Sequence, residues 1–250
     1  AVDVEFGSGP DLSVCGPFAA DLAGLPPERN LCMMAAERFA ARFGGGPWRI
    51  ALEKWLPPAA GLGGGSADAA GVLRLLADAV GVSHDDPGVV DIARGLGADV
   101  PACLAGRPCI ARGIGELLEP LARFPEVPVL LANPRIALPT AAVFRAWTQE
   151  APPARLDRVG IEAARDAAGL AQVLTDSRNM LQTAAIALEP AVAVVLDALE
   201  ASAGCLLARM SGSGATCFGL FATDADCAAA AERLRAAHPG WWVSATRLRP

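Results

Sequence analysis

The 250-residue chain is expected to fold as an α+β protein in two units, residues 1–124 and 125–250. Three observations predict this. The alternating run "WRIALEKWLP" reads as a strand that feeds a glycine-rich stretch and then an amphipathic helix. A new unit opens around "FPEVPVLLANP", where Val127 to Ala132 read as a buried strand. The chain then closes as strand, turn, strand, helix, strand, which is the ending of a small α+β sandwich.

In order along the chain, "AVDVEF" and "DLSVCG" read as a short antiparallel pair turned by "GSGP". In "RNLCMMAAERFAARFG", Leu31, Met34, Ala35, Phe39 and Phe43 fall on a helical period, and glycine ends it. "SADAAGVLRLLADAVG" is the clearest helix. Ala69, Val72, Leu73, Leu76 and Val80 form its apolar stripe, Ser66 stands where an N-cap belongs, and Asp68 suits the positive end of the helix. "DDPGVVDIARGLG" follows as a helix capped by Asp86, with Pro87 at its first position. "ADVPACLAG" reads as a loop leading to a short strand. In the second unit "PTAAVFRAW", "SRNMLQTAAIAL" and "EPAVAVVLDALEAS" read as helices. "CLLARMSGSGATCFGLFA" reads as two strands around Gly212-Ser213-Gly214, "DADCAAAAERLRAAHPG" as a last helix, and "WWVSATRL" as a last strand.

The composition, 53% hydrophobic and 19% charged, is that of a globular chain. A net charge of −6 argues against a general nucleic-acid binder, which needs a basic face. An anionic small molecule stays allowed, because backbone amides bind phosphate without net charge. Seven cysteines form no C-x-x-C pair, and only His84 and His238 could join them, so no zinc site is expected. The cysteines of runs such as "ACLAG" and "ATCFGLF" read as small buried hydrophobes in a reducing compartment. No run approaches the roughly 18 apolar residues of a membrane span, and no signal-peptide pattern is present. A cytoplasmic protein without a membrane partner is therefore expected.

The stretch "LPPAAGLGGGSADAA" carries the chemistry. The first turn of a helix leaves N–H groups free and carries partial positive charge. Glycines before it let the backbone approach an anion and aim further amides at it. No lysine follows the glycines, so this is not a Walker A loop. Nor is it a dinucleotide fingerprint: counted from Gly61 the last position is Ser66, and counted from Gly63 it is Asp68. On these residues alone the stretch is either a phosphate cradle or a turn that packs a helix on a sheet.

The same stretch resembles the second motif of the GHMP kinases. More narrowly, "GLGGGSADAA" followed by "LGADVP", "ARGIGELLEPL", "NPRIALPTAAVF", "SRNMLQ" and "MSGSGATCFGLF", in that order, resemble the branch acting on 4-diphosphocytidyl-2-C-methyl-D-erythritol. The resemblance runs from about Asn30 to Phe221. It implies a first domain like domain 2 of ribosomal protein S5, a ferredoxin-like second domain, and an active site in the cleft between them. It also implies phosphoryl transfer from ATP, with Mg²⁺, to a cytidine diphosphate-linked methylerythritol. Ala59, Ala60 and Ala67 stand where the family often has glycine or serine. The family's opening "P-A-K-x-N-L" strand and "D-G-Y-H" segment do not occur in these residues, and they are expected upstream.

Carried over residue by residue, the resemblance implies that Pro57, Pro58, Ala59, Ala60, Gly61, Leu62, Gly63, Gly64, Gly65, Ser66 and Ala67 bind ATP, with Lys54 and Asn30 near its base. Lys54, the one lysine of the chain, could equally be a surface residue, and Asn30 a helix cap. Asp99 is the implied base, against a plainer reading as a cap or stiffener of the turn before Pro101. Asp99, Pro139, Thr140, Phe144, Gly212, Ser213 and Gly214 would bind the acceptor. Gly212 to Gly214 also suit a plain hairpin turn, and Phe144 suits either aromatic stacking or the core. Two rival readings remain: another GHMP kinase of the mevalonate or homoserine type, and a non-catalytic nucleotide-binding protein.

Overall fold

Trp48, Ile50 and Leu52 point three large apolar side chains to one face of Trp48–Glu53 (β3), and all three are buried. In the computed structural model, which describes residues 1–7, 11–148 and 156–250, this strand takes the centre of a three-stranded sheet. Val2–Phe6 (β1) pairs with it antiparallel and Asp11–Cys15 (β2) pairs with it parallel. The expected β1–β2 pair is therefore wrong, because β3 lies between them. The strand with the most apolar face takes the place where both of its edges are hydrogen-bonded, and strand order is not legible from short-range alternation. Most of the expected turn "GSGP" lies outside the described residues.

Four helices share one core with this sheet, the first two packing on its strands and the other two on those helices. Leu31–Phe43 (α1) is capped by Asn30, whose side chain accepts from Cys32 N–H at 2.9 Å. Gly64–Val80 (α2) buries Ala69, Ala70, Val72, Leu73, Leu76 and Ala77, the expected stripe widened by alanines. Pro87–Leu96 (α3) has its expected Asp86 cap and Pro87 start. Val100–Ala105 (α4) corrects the expected loop: Val100, Pro101 and Leu104 are buried on one side of a short helix. Proline is tolerated there because first-turn N–H groups need no helical acceptor. Cys109–Arg112 (β4) and Leu117–Pro120 (β5) form an antiparallel hairpin.

The chain separates into two compact units, Ala1–Pro58 with Gly63–Pro120, and Ala59–Leu62 with Leu121–Pro250. The second unit is built on Val127–Asn133 (β6). It pairs antiparallel with Trp242–Leu248 (β9) on one side and Cys217–Phe221 (β8) on the other, and β8 pairs in turn with Cys205–Met210 (β7). The order β7-β8-β6-β9 is the ferredoxin-like order. β6 shows no polar alternation because both its faces are covered. Leu130 and Ala132 join a core with Thr140–Ala146 (α5), Gln182–Leu188 (α8), Ala191–Glu200 (α9) and Asp224–Ala237 (α10). Val127 and Val129 meet Ile161 of Arg158–Ala163 (α6) and Leu170 of Ala167–Leu174 (α7).

Cys32, Cys217 and Cys227 are buried, while Cys103, Cys109 and Cys205 are half-buried and Cys15 is exposed, so the expectation of buried thiols holds only in part. Burial pushes the Cys32 and Cys217 thiols up to about 12, which keeps them neutral. Among the described residues no helix is long and apolar enough to cross a membrane.

Candidate active site

Gly63, at φ +63°, takes the N-cap position of α2, so the helix begins before the expected cap at Ser66. Ser66 sits inside the first turn instead. A left-handed residue suits glycine and strains any side chain. Ala67 N–H makes the first helical bond, to the Gly63 carbonyl at 2.9 Å. Among the described residues, the amides of Gly61 to Ser66 donate to no protein acceptor. None of these residues is sealed in the core. Free N–H groups at the start of a four-turn helix are what an anion needs.

A buried cation stands under that start. Lys54 is 4% exposed, so it is no ordinary surface lysine. Its Nζ lies 2.5 Å from Asp68 Oδ2, and 3.4 Å from where a Cβ on Gly64 would be. The ammonium therefore adds positive charge beneath the open amides. Asp68 balances it, since a buried charge left alone is expensive. Asp68 and Lys54 also reach the Cys32 thiol, which burial raises most, Asp68 raises further and Lys54 opposes. Asn30 is spent on capping α1, and the next residue, Leu31, would lie 3.6 Å from a Cβ on Gly65.

Asp99 holds the N-cap position of α4 at φ −86° and ψ −16°, yet its side chain makes no capping bond. The capping half of the plainer reading is thereby removed. The residue is exposed, and Oδ2 lies 4.0 Å from where a Cβ on Gly63 would be. The first unit thus brings together the free amides of Gly63 to Ser66, a supporting lysine and an uncommitted carboxylate.

The second unit holds the other expected residues. Gly61, at φ +73°, is packed so closely that a Cβ would meet Ser211 O and come within 2.8 Å of Gly214 O. Ser211 Oγ donates to Gly61 O at 2.8 Å, and Thr216 N–H donates to Ala60 O at 3.3 Å. The loop between β7 and β8 is both a hairpin connection and a seat for residues 60 and 61. Thr140 Oγ1 and Ser213 Oγ lie 2.8 Å apart. Pro139 precedes α5, and Phe144 on α5 is 55% exposed, so it is not a core residue. Of the first loop, Pro57 and Pro58 are half-buried, Ala59 and Ala67 exposed, and Ala60 buried.

Sequence reasoning missed the residues that hold this loop in shape. Asn179 Nδ2 donates to Met210 O at 2.9 Å and to Gly212 O at 2.7 Å, while its Oδ1 accepts from Leu181 N–H. Gln182 Oε1 accepts from Met210 N–H at 3.0 Å. Buried Asn133 donates to Thr216 Oγ1 at 2.8 Å. Asn179 and Gln182 both stand in "SRNMLQ", which was singled out without a role; polar residues at the start of an apolar helix were the available signal. The two histidines are structural or surface groups: His84 meets Asp78 at 2.8 Å, and His238 stacks on Trp241.

Family models describe the same two parts. Residues 30–107 match the GHMP kinases N terminal domain, and residues 159–240 match the GHMP kinases C terminal. A 4-diphosphocytidyl-2-C-methyl-D-erythritol kinase of Paracoccus denitrificans is 50% identical over 248 residues, covering 99% of this chain and 84% of the relative. The enzyme of that name from Rhizorhabdus wittichii is 48% identical, over 95% of this chain and 79% of its own length. A crystal structure of 4-(cytidine 5'-diphospho)-2C-methyl-D-erythritol kinase superposes with TM-score 0.75 at 34% identity, over 98% of this chain and 84% of that one. A homoserine kinase from Cytophaga hutchinsonii superposes at 0.74 but is only 17% identical, over 99% and 84% of the two chains, a likeness of fold.

Proposed function

This chain belongs to the GHMP kinases, and from that premise we propose that it transfers the γ-phosphoryl group of ATP to the 2-hydroxyl of 4-diphosphocytidyl-2-C-methyl-D-erythritol, a step of non-mevalonate isoprenoid synthesis. The observation that supports the chemistry is the Asp99 carboxylate, free of any capping bond, set opposite Gly63 at the start of α2. The near-half identity to kinases of this substrate favours it over mevalonate or homoserine.

The open amides of Gly61 to Ser66 take the phosphate oxygens, and the dipole of α2 and the Lys54 ammonium favour the charge gathered there. Asp99 orients the acceptor hydroxyl and takes its proton on Oδ2. The bond between the γ-phosphorus and the bridging oxygen breaks, a new bond to the acceptor oxygen forms, and ADP leaves with the electron pair. Asn30 is committed to capping α1 and Lys54 to Asp68 beneath the loop, so the adenine contact that the resemblance implied for them is not assigned to their side chains. Pro139, Thr140, Phe144 and the Gly212–Gly214 loop hold the cytidine diphosphate, with the exposed Phe144 ring offering a face to the flat base.

Mg²⁺ fits this site as a passenger on the phosphates rather than as a resident of a protein cage. Among the described residues no three His, Cys, Asp or Glu side chains converge on one point, and Asp68 is committed to Lys54. Ser66, in the first turn of α2, would supply a hydroxyl to the ion. When bound, Mg²⁺ neutralises charge on the transferring phosphates.

The test is turnover by the full-length protein on three acceptors: the cytidyl substrate, mevalonate and homoserine. Only the first should yield ADP and a phosphorylated product. Asp99→Asn should lower kcat by roughly 10²–10⁴-fold while leaving the KM for ATP little changed. Equal turnover of mevalonate or homoserine, or full activity in Asp99→Asn, refutes the assignment.

A further inference from the structure

The hairpin of β4 and β5 ends in a tip that presents Ile114, 82% exposed, the most exposed of the large apolar residues described. Single exposed apolar side chains are ordinary, so exposure by itself says nothing. What sets Ile114 apart is how firmly its backbone is held. Its own N–H donates to Glu116 Oε2 at 2.7 Å, and Gly115 N–H donates to Arg112 O at 3.1 Å. On the strands just below the tip, Arg112 Nε lies 2.5 Å from Glu119 Oε1, and Nη2 lies 3.2 Å from Oε2. The tip also rests on the segment that carries the proposed base. Gly115, at φ +117°, is so close to Ala98 that a Cβ would lie 3.1 Å from the Ala98 carbonyl oxygen. Ala98 immediately precedes Asp99. The chain therefore holds an exposed isoleucine on a fixed turn whose next residue packs on Ala98, the neighbour of the uncommitted Asp99, within one and the same unit.

We propose that Ile114 is a specificity-determining residue that contacts the C-methyl group of the acceptor. The inference rests on the proposed reaction. In that acceptor the hydroxyl that receives the phosphoryl group and the methyl group share carbon 2. Any group that takes the proton of that hydroxyl has the methyl within a few ångströms. An apolar wall next to Asp99 removes the methyl from water and turns the hydroxyl toward the carboxylate. An acceptor without the methyl gains nothing from the isoleucine.

The experiment compares the wild-type, Ile114→Ala and Leu117→Ala proteins on the cytidyl substrate and on its analogue lacking the 2-C-methyl group. Leu117 is 59% exposed in the neighbouring strand and serves as the control for damage to the hairpin. Wild type should prefer the methylated acceptor by roughly 10-fold or more in kcat/KM, the scale of one methyl group in an apolar site. Ile114→Ala should abolish most of that preference, losing about 10-fold on the methylated acceptor and less than about 2-fold on the analogue. Leu117→Ala should keep the wild-type ratio. Equal losses on both acceptors in Ile114→Ala, or an unchanged ratio, overturn the inference. Wild-type protein with no turnover of the methylated acceptor is a different result: it sinks the parent reaction and takes this inference with it.

Discussion

Two glycine-rich loops of this chain are held in different ways. Gly61 to Ser66 leads into α2 with amides that have no protein acceptor among the described residues. Ser211 to Thr216 joins β7 to β8 with half of its amides taken up: Ser211 N–H bonds to Thr216 O, Gly214 N–H to Ser211 O and Thr216 N–H to Ala60 O, while the Met210 and Gly212 carbonyls accept from Asn179 and the amides of Gly212, Ser213 and Ala215 have no protein acceptor among the described residues. Both contain glycine at positive φ, +63° at Gly63 and +54° at Gly212. Their supports differ as well. Under the first lies a buried ion pair, Lys54–Asp68; under the second lie neutral amides and hydroxyls. Glycine content is shared by the two loops, so it does not tell them apart; the number of unspent amide donors does, Gly61 to Ser66 in the first against Gly212, Ser213 and Ala215 in the second.

Breaking the charged support should have the largest effect. Asp68→Ala leaves a buried ammonium unpaired and should cost about 3–5 kcal/mol of stability in chemical denaturation, nearer the lower end because Asp68 is itself 20% exposed. Pairing Lys54→Met with Asp68→Leu should recover most of that loss, and a failure to recover would show that the charge has a further structural role. Gly61→Ala tests the crowded end of the first loop. Its methyl would enter the backbone of Ser211 and Gly214, and the unfolding midpoint should fall by the equivalent of about 2–3 kcal/mol. A silent substitution would mean that the contact is loose. Asn179→Ala removes the neutral clamp from the second loop and leaves two carbonyls short of a donor, a loss of about 2 kcal/mol. Gly63→Ala should have the smallest stability effect, about 1 kcal/mol for a left-handed alanine with room for its methyl. The same variant should raise the KM for ATP roughly tenfold, equivalent to ~1.4 kcal/mol. If Gly63→Ala instead behaved like Gly61→Ala, the contrast between an open and a packed end would be lost.

Local signals were readable and long-range ones were not. Asp86 and Pro87 announced α3, and the stripe from Ala69 to Leu76 announced α2, because caps and periodicity act over a turn or two. The place of β3 between β1 and β2 depends on which strand buries the larger face, a comparison across the sheet rather than along one strand. The six-residue α4 hid behind Pro101, which reads as a breaker unless it falls in a first turn. α6 and α7 went unread, although they are what makes β6 apolar on both faces. In the site, "GLGGGS" locates the open amides, yet the cap is Gly63 and not Ser66. The residue types point to Ser66 instead, since serine is the usual cap and a left-handed glycine is visible only as a backbone angle. Lys54 gave no hint of its burial, because its partner Asp68 lies beyond the glycine loop. Asn179 and Gln182 serve backbone groups some thirty residues away, and no local pattern encodes that.

The four residues Ala59–Leu62 are counted with the second unit although the chain on either side of them belongs to the first. Severing the polypeptide after Pro120 would accordingly not yield two self-sufficient halves. The carboxy-terminal piece would lack the Ala60 oxygen that receives Thr216 N–H and the Gly61 oxygen that receives the Ser211 hydroxyl. Any split reporter, chimera or shuffled gene made from this protein must therefore carry that tetrapeptide along with the later portion, or supply it in trans.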